Sequence, residues 1–270
     1  MAFSANILLS SENEYGQTIT TFEFESPRLS HSDFMSHRCF SRNAQSSRAL
    51  PIEKLLDKVK TDPVIPVEVG KNKSGMFATE ELDDKSKEEA IKIWLKARDE
   101  AVKYANQLNE LKVHKQIVNR ILEPYSWIKV ICTGTDEAYQ SFFKLRCAPD
   151  VQPELKKLAY MMKEAYDLKN PQKLKTGQWH LPLVTNYDEE ELRKSYSDSS
   201  LVKISAGRTC RVSYLTHLGE RDPKKDIDLC DRLITDMHYS PLEHQVCAST
   251  QDVYSGNIKG FIQYRQLVIN

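Results

Sequence analysis

The sequence predicts an α+β fold, with strands toward both ends of the chain and a long helical region between them. Residues 17–25 alternate in polarity and are rich in Thr, Ile and Phe, a pattern typical of a half-buried strand. Residues 86–122 repeat apolar side chains at helical spacing. The tail, residues 254–270, has a glycine-containing turn and then an apolar strand. With 40% hydrophobic residues in 270, we expect one domain with an insertion or extension.

Prolines and polar caps predict the helices of the first half. Pro51 suits a first helical turn, where its missing N–H costs nothing, and Pro153 suits the start of a later helix. Thr135 is a plausible N-cap. A Ser/Asn/Arg-rich loop is expected directly after a short helix at about 30–40. The helices predicted from these signals cover about 30–40, 51–56, 135–146 and 154–166.

The same kinds of signal predict the elements of the second half. Residues 167–200 are polar and carry Asn-Pro and Thr-Gly pairs, which predicts a linker. A short strand or helix is expected at 201–214, and a helix at 225–237. Ser240 followed by Pro241 is typical of a helix start, with Glu243 in the first turn.

Composition limits the classes of function. Lys+Arg and Asp+Glu are both 38, so bulk charge gives no sign of nucleic-acid or membrane-surface binding. No apolar run reaches the roughly 18 residues that a bilayer span needs, and the N-terminus does not resemble a secretory signal. The six cysteines are scattered, which indicates reduced thiols in the cytoplasm and no metal site. They are Cys39, Cys132, Cys147, Cys210, Cys230 and Cys247.

The densest polar segment, residues 36–48, is a candidate anion site. Arg38, Arg42 and Arg48 carry forked donors that suit phosphate, and the serines of the segment add hydroxyls. By composition alone, a solvated turn-rich loop before a helix is the favoured interpretation. The segment 238–244, with two histidines and a carboxylate, is read as either a site or a capping motif.

Five motifs together resemble the flavin-dependent thymidylate synthases, the ThyX family. They are Ser36-His37-Arg38 with Ser41, Ser46 and Arg48; Asn119–Pro124; Phe143–Arg146 followed by Gln152 and Glu154; Cys210–Tyr214; and His238–His244. In commoner members of the family, the motifs that correspond to Cys210–Tyr214 and His238–His244 precede the motif that corresponds to Ser36–Arg48. The chain therefore resembles a circular permutant, with 17–166 carrying the signature motif, 167–200 joining the old ends, and 201–270 carrying the permuted part and tail.

The resemblance implies a fold and an activity. The fold is a small antiparallel sheet packed with long helices, in a homotetramer whose active sites form between subunits. The activity is conversion of dUMP to dTMP, with FAD as cofactor and NADPH and methylenetetrahydrofolate as co-substrates. The partners are thus small molecules, with no nucleic acid or membrane. No nucleophilic cysteine is implied, so Cys147 is expected to be dispensable.

The resemblance also implies residue roles. The implied dUMP contacts are Ser46, Ser47, Arg48, Arg120 and Arg146. The implied FAD contacts are His37, Arg38, Ser41, Leu145, Ser213, Ser240 and Glu243. The residues expected nearest the chemistry are Ser46, Arg146, which polarises the uracil carbonyl, and His238, close to the flavin ring.

The sequence departs from the family pattern at four positions. Ser36 replaces an Arg, Ala44 a Glu, Asp33 a Gln and Asp150 a His. The tail, residues 254–270, contains Gln and Arg, which are the side-chain types missing at positions 33 and 36. We therefore hypothesise that Gln263 and Arg265 fold back and replace the missing Gln and Arg.

Two other functions are compatible with the same motifs. One is a related enzyme that delivers another one-carbon group, for instance a hydroxymethyl group, to dUMP. The other is a non-catalytic nucleotide- or RNA-binding protein that kept the fold without the flavin. A third interpretation assigns no functional site: the chain is then a helical α/β protein with a polar loop.

Overall fold

A five-stranded sheet lies at the centre of the computed structural model, which describes residues 3–185, 188–212 and 221–269. Its strands are β1 (Ser4–Asn13), β2 (Thr18–Pro27), β3 (Ser41–Ala44), β4 (Trp127–Thr135) and β5 (Gln172–Leu174). Their order is β3-β4-β2-β1-β5. The β1–β5 pair is parallel and the other pairs are antiparallel. The predicted strand at 17–25 is confirmed as β2, whereas β1 and β4 were not predicted.

Helices pack around this sheet, and with it they confirm the predicted α+β class. The α-helices of the described residues are α1 (His31–Met35), α2 (Ile52–Thr61), α3 (Asp84–Glu110), α4 (Lys115–Val118), α5 (Asp136–Arg146), α6 (Pro153–Asp167), α7 (Glu189–Leu192), α8 (Asp198–Arg211), α9 (Pro223–Thr235) and α10 (Tyr264–Ile269). None of these helices is long and apolar enough to cross a membrane.

The helices expected from Pro51, Thr135 and Pro153 are confirmed as α2, α5 and α6. The helical pattern predicted for 86–122 is confirmed, but it is divided among three separate helices. The chain leaves α3 through Lys112, whose φ of 59° is left-handed, and continues as α4 and a 3-10 helix. A left-handed residue interrupts helical hydrogen bonding, so the apolar spacing beyond it belongs to separate short elements.

The main core lies between one face of the sheet and the pair α5–α6. Phe22 and Phe24 alternate along β2 toward this face, as a pleated strand requires. They meet Phe142 of α5 and Leu155 and Met162 of α6, all buried. A second core joins α2 and α3 to the 3-10 helix Asn119–Tyr125.

Residues 167–200, predicted as a polar linker, carry structure and buried side chains. They contain β5, β6 (Trp179–His180) and α7, and Leu181, Leu183 and Val184 are buried. β6 joins β7 (Val246–Ala248) and β10 (Phe261–Gln263) in a second sheet, in the order β10-β7-β6. β8 (Tyr254–Ser255) and β9 (Ile258–Lys259) form a small hairpin.

The segments on either side of residues 213–220 are held together by buried ion pairs. The guanidinium of Arg208, on α8, donates to Asp188 and to Asp226, which lies on α9. Arg211 donates to the other carboxylate oxygen of Asp226. The stretch 201–214, left open as strand or helix, is thus helical up to Arg211. The turn and strand predicted in the tail are confirmed as the β8–β9 hairpin and β10, but the tail then ends in α10.

Candidate functional site

The Ser/Arg-rich segment 36–48 is not the single loop that its composition predicted. Its middle is β3, which pairs with β4 in the register Ser41 to Thr133 and Asn43 to Ile131. Burial alternates along it, so Ser41 and Asn43 point inward. Backbone pairing with β4 outweighs the local preference of Ser and Asn for turns. The segment then ends in a 3-10 turn, Ser47–Ala49.

A cavity of about 580 Å³ lies where this segment meets residues 238–241. It brings together four of the predicted site residues, Ser46 and Arg48 from one segment and His238 and Ser240 from the other. Arg48 is exposed and Ser46 is half-buried. The rest of the wall consists of Asn43, Ala49, His114, Lys115, Gln116, Cys210, Leu233 and Pro241.

Buried amides fix the walls of this cavity. The Asn43 amide donates to the carbonyl of Thr209 at 2.7 Å, which ties β3 to α8. The Asn119 amide, fully buried, donates to the carbonyls of Ser47 and Leu50 at 2.7 and 3.0 Å. Because buried polar groups are costly to leave unpaired, these bonds hold the wall residues in one arrangement.

A second cluster joins two predicted site residues, Arg146 and His37, outside the cavity. Arg146 Nε donates to His37 Nε2 at 2.7 Å, and its Nη2 donates to the Ser36 hydroxyl at 3.2 Å. Burial, together with the nearby charges of Arg146 and Arg42, lowers the pKa of His37 to about 4. The imidazole is therefore neutral near pH 7, and its Nε2 accepts a hydrogen bond from the guanidinium N–H.

Other predicted residues lie apart from the cavity. Arg120 is exposed and pairs with Glu123 at 3.1 Å, and Glu123 also accepts from the hydroxyl of Ser47 at 2.5 Å. Leu145 is exposed at the end of α5, and Arg38 is exposed before β3. Ser213 lies outside the described residues. The structure thus forms two clusters and does not bring Arg120 to either one.

The tail folds back onto predicted site residues. The Gln263 amide, buried, donates to the Ser41 hydroxyl at 3.0 Å and to the Glu243 carbonyl at 3.3 Å. Arg265 pairs with the Glu243 carboxylate. Gly256 permits this return because its φ is +60° and a Cβ there would lie 2.6 Å from Gln263 Oε1. Whether these side chains replace the lost Gln and Arg in function stays a prediction.

Two buried histidines flank the site and were not predicted as a pair. His180 contacts the hydroxyls of Ser11 (2.7 Å) and Thr21 (2.8 Å). Thr21 contacts Thr133 at 2.7 Å, and Thr133 contacts Nδ1 of His244 at 2.8 Å. Burial lowers the pKa of each histidine to about 3. This chain of hydrogen bonds anchors the residue directly after Glu243 to the centre of the sheet.

Within the described ranges, no three His, Cys, Asp or Glu side chains lie close enough to hold a metal ion. The six cysteines are free. Burial raises the pKa of the Cys147 thiol, which disfavours the nucleophilic thiolate.

Comparison with known proteins identifies the family. The family model described as Thy1, thymidylate synthase complementing protein, matches residues 15–172, more than half of the chain. The chain belongs to the Thy1 family. This match confirms the resemblance and contains three of its five motifs, those around His37, Arg120 and Arg146.

Two solved structures similar to this Thy1 protein have low identity to it. The UMP/dUMP methylase PolB from Streptomyces cacaoi is 18% identical, with a TM-score of 0.45, over 55% of this chain and 69% of that one. The flavin-dependent thymidylate synthase ThyX from Helicobacter pylori, complexed with FAD and dUMP, is 16% identical, with a TM-score of 0.39, over 55% and 67%. A comparison with curated proteins gives no match.

Sequence reasoning missed four polar residues of the cavity wall, Asn43, His114, Lys115 and Gln116. Asn43 lies inside the recognised motif, and its inward direction follows only from the pairing of β3. His114 and Lys115 begin α4 and carry no motif. Their place at the site depends on how the 3-10 helix after α4 packs under Ser47–Leu50.

Proposed function

We propose that this chain is a flavin-dependent thymidylate synthase that methylates dUMP reductively to dTMP. The observation that carries the proposal is the cavity that joins Ser46 and Arg48 to His238 and Ser240, in a chain of the Thy1 family. These residues come from distant parts of the sequence, and each matches a motif position with an implied role in nucleotide or flavin binding.

The proposed nucleotide contacts are Ser46, Ser47, Arg48, Arg120 and Arg146. Arg48 supports a phosphate role, because it is exposed and no carboxylate among the described residues pairs with it. Arg146 supports a role at the uracil ring. Its present acceptor is a neutral imidazole, which a carbonyl oxygen can replace without separating an ion pair.

The proposed FAD contacts are His37, Arg38, Ser41, Leu145, Ser213, Ser240 and Glu243. The donor set fits a diphosphate-bearing dinucleotide, since Arg38 is exposed and, in the described part of the chain, has no carboxylate partner. Ser41 and Glu243 are held by Gln263 and Arg265, so the tail forms part of the proposed flavin wall. When bound, FAD supplies the redox chemistry that passes reducing equivalents from NADPH to the one-carbon unit of methylenetetrahydrofolate.

The residues of the chain orient the reactants and position His238. His238 comes directly before Tyr239, the residue at which the chain enters the 3-10 helix Ser240–Glu243. His244, buried and bonded to Thr133, fixes the far end of that short helix. A rigid frame of this kind supports catalysis by orientation.

We also propose a homotetramer in which a second subunit completes each site. Arg120 is not part of the cavity wall, which is consistent with a phosphate contact made across a subunit interface. Apolar side chains that a partner can cover are exposed on and after α3: Ile93 (57%), Tyr104 (51%), Leu111 (76%) and Ile117 (54%).

A circular permutation is the proposed origin of the motif order. The segments that carry Arg211 and Ser240 follow the matched range 15–172, yet they pack on β3 and on the cavity. Residues 167–200, with their short strands, join the two parts.

The test uses purified full-length protein. We expect visible flavin absorbance, bleaching by NADPH that depends on dUMP, and dTMP as the product by mass spectrometry when methylenetetrahydrofolate is present. A hydroxymethylated product would replace this proposal with the one-carbon variant. A colourless protein that binds dUMP without turnover would indicate the non-catalytic nucleotide-binding function.

A further inference from the structure

The wall of the 580 Å³ cavity is positively charged, although the whole chain is neutral. The chain carries 38 acidic and 38 basic residues. The cavity wall nevertheless includes two permanent cations, Arg48 and Lys115, together with His114 and His238, and it includes no carboxylate among the described residues. Such a concentration of one sign of charge raises the local concentration of an anionic ligand.

Lys115 stands out on this wall because it is half-buried and lacks an anionic partner. Its Nζ donates to the carbonyl of Ala49 at 3.1 Å. No carboxylate of the described residues lies within ion-pair distance of it, whereas many other lysines of the chain have one. An ammonium has three donors, so two remain for a ligand.

The position of Lys115 relative to Arg48 is fixed by the fold. Asn119, one turn after Lys115, donates to the carbonyls of Ser47 and Leu50, on either side of Arg48. Lys115 itself holds the carbonyl of Ala49, the residue after Arg48. The two cations therefore belong to one hydrogen-bonded unit and do not depend on separate flexible loops.

We infer that Lys115 is a further cationic contact for the phosphate of the pyrimidine nucleotide, beside Arg48 and in addition to the proposed contact from Arg120. A phosphate monoester carries close to two negative charges near neutral pH, so the guanidinium of Arg48 alone leaves part of that charge unpaired on the cavity wall. Arg48 offers a planar fork and Lys115 a compact point charge, which is a combination suited to a tetrahedral anion. This inference rests on the proposed function, because it names a further substrate contact of the same site.

The test measures dissociation constants of dUMP and of deoxyuridine, which lacks the phosphate, for the FAD-loaded protein. Lys115→Gln removes the charge but keeps a donor for the Ala49 carbonyl, so the local fold is retained. We expect it to weaken dUMP binding about tenfold, the value of one charge-assisted hydrogen bond, and to leave deoxyuridine binding unchanged. Lys115→Arg is expected to restore dUMP binding to within about threefold of the wild type.

The matched control is Lys96→Gln on the exposed face of α3, which should change neither constant. Equal dUMP affinity in the wild type and Lys115→Gln would overturn the inference and leave the proposed function standing. Equal weakening of dUMP and deoxyuridine would also overturn it, because the contact would then not be to phosphate. A wild type that binds no dUMP at all would refute the proposed function as well.

Discussion

The hydrogen-bonded pair of Arg146 and His37 is the group of residues most directly concerned with the proposed reaction. The guanidinium is half-buried at the end of α5, and its hydrogen bond to a neutral imidazole holds it in place without neutralising its charge. An arginine held in this way keeps its full charge for an oxygen on which negative charge develops.

We predict that Arg146→Gln lowers kcat for dTMP formation about 100-fold, the usual cost of removing one such donor. Flavin content should stay at the wild-type level, since His37 and Arg38 remain. Steady-state kinetics and the visible spectrum check this. Arg193→Gln, a change in an exposed arginine near α7, is the control. Unchanged kcat in Arg146→Gln would remove Arg146 from the proposed chemistry.

Cys147 follows Arg146 but is not expected to act as a nucleophile. Burial raises the pKa of its thiol, and the proposed mechanism requires no covalent bond to the pyrimidine ring. Cys147→Ala should therefore retain turnover to within about twofold, since a half-buried thiol behaves mainly as a small apolar group. Loss of turnover with flavin still bound would contradict the flavin-type mechanism.

The tail is the element on which the incomplete motif depends. Gln263 of β10 and Arg265 of α10 contact Ser41 and Glu243, so the tail holds two proposed flavin contacts that lie earlier in the sequence. Ser36 and Ala44, which lack the charges usual in the family, lie in the same motif as Ser41. The geometry is consistent with the hypothesis that the tail compensates for them.

We predict that Arg265→Ala weakens FAD binding by about tenfold, because Glu243 loses the ion pair that orients it. Gln266→Ala, one position further along α10, should leave the affinity unchanged. Fluorescence titration of the flavin-free protein with FAD measures both. If neither FAD nor dUMP affinity falls in Arg265→Ala, the compensation hypothesis is refuted.

The elements also show what the sequence could and could not predict. Pro153 and Thr135 mark the starts of α6 and α5, because their signals are local. β1 was missed because Ser10, Ser11 and Asn13 are buried polar residues that its neighbours satisfy by hydrogen bonds, which hides the apolar alternation. The place of the cavity could not be predicted, since it depends on long-range pairing.

At the scale of the whole molecule, the two buried histidines join parts of the chain that are far apart in sequence. His180 comes from the segment expected as a linker, and His244 from the segment after the Ser240–Glu243 turn. Both hydrogen-bond to threonines of the central sheet. Because both are buried and neutral, protonation opposes the folded state as a whole.

We predict that the free energy of unfolding falls as pH decreases from about 6.5 toward 3. Burial lowers the pKa of His180 and His244 from 6.5 to about 3, so below pH 6.5 the unfolded chain binds protons that the folded chain does not. Between pH 7.5 and 5, each histidine accounts for up to about 2 kcal/mol of this loss.

Denaturant unfolding at the two pH values measures the effect. His244→Gln should lower stability at pH 7.5 but reduce its further loss at pH 5. His114→Gln, which changes an exposed histidine, should leave the pH dependence as in the wild type. A stability that does not change between pH 7.5 and 5 would contradict the neutral buried pair.

The hydrogen bond between Gln263 and Ser41 has a consequence for synthesis of the protein. The two residues are 222 positions apart, so Ser41 leaves the ribosome long before its partner is made. At roughly 5–20 residues per second, the delay is about 10–45 s. Throughout that interval the nascent chain has the sheet strands of its first half but no tail to close the site. The proposed flavin contacts Ser41 and Glu243 are therefore held in place only late in translation, so we expect incomplete chains not to retain FAD.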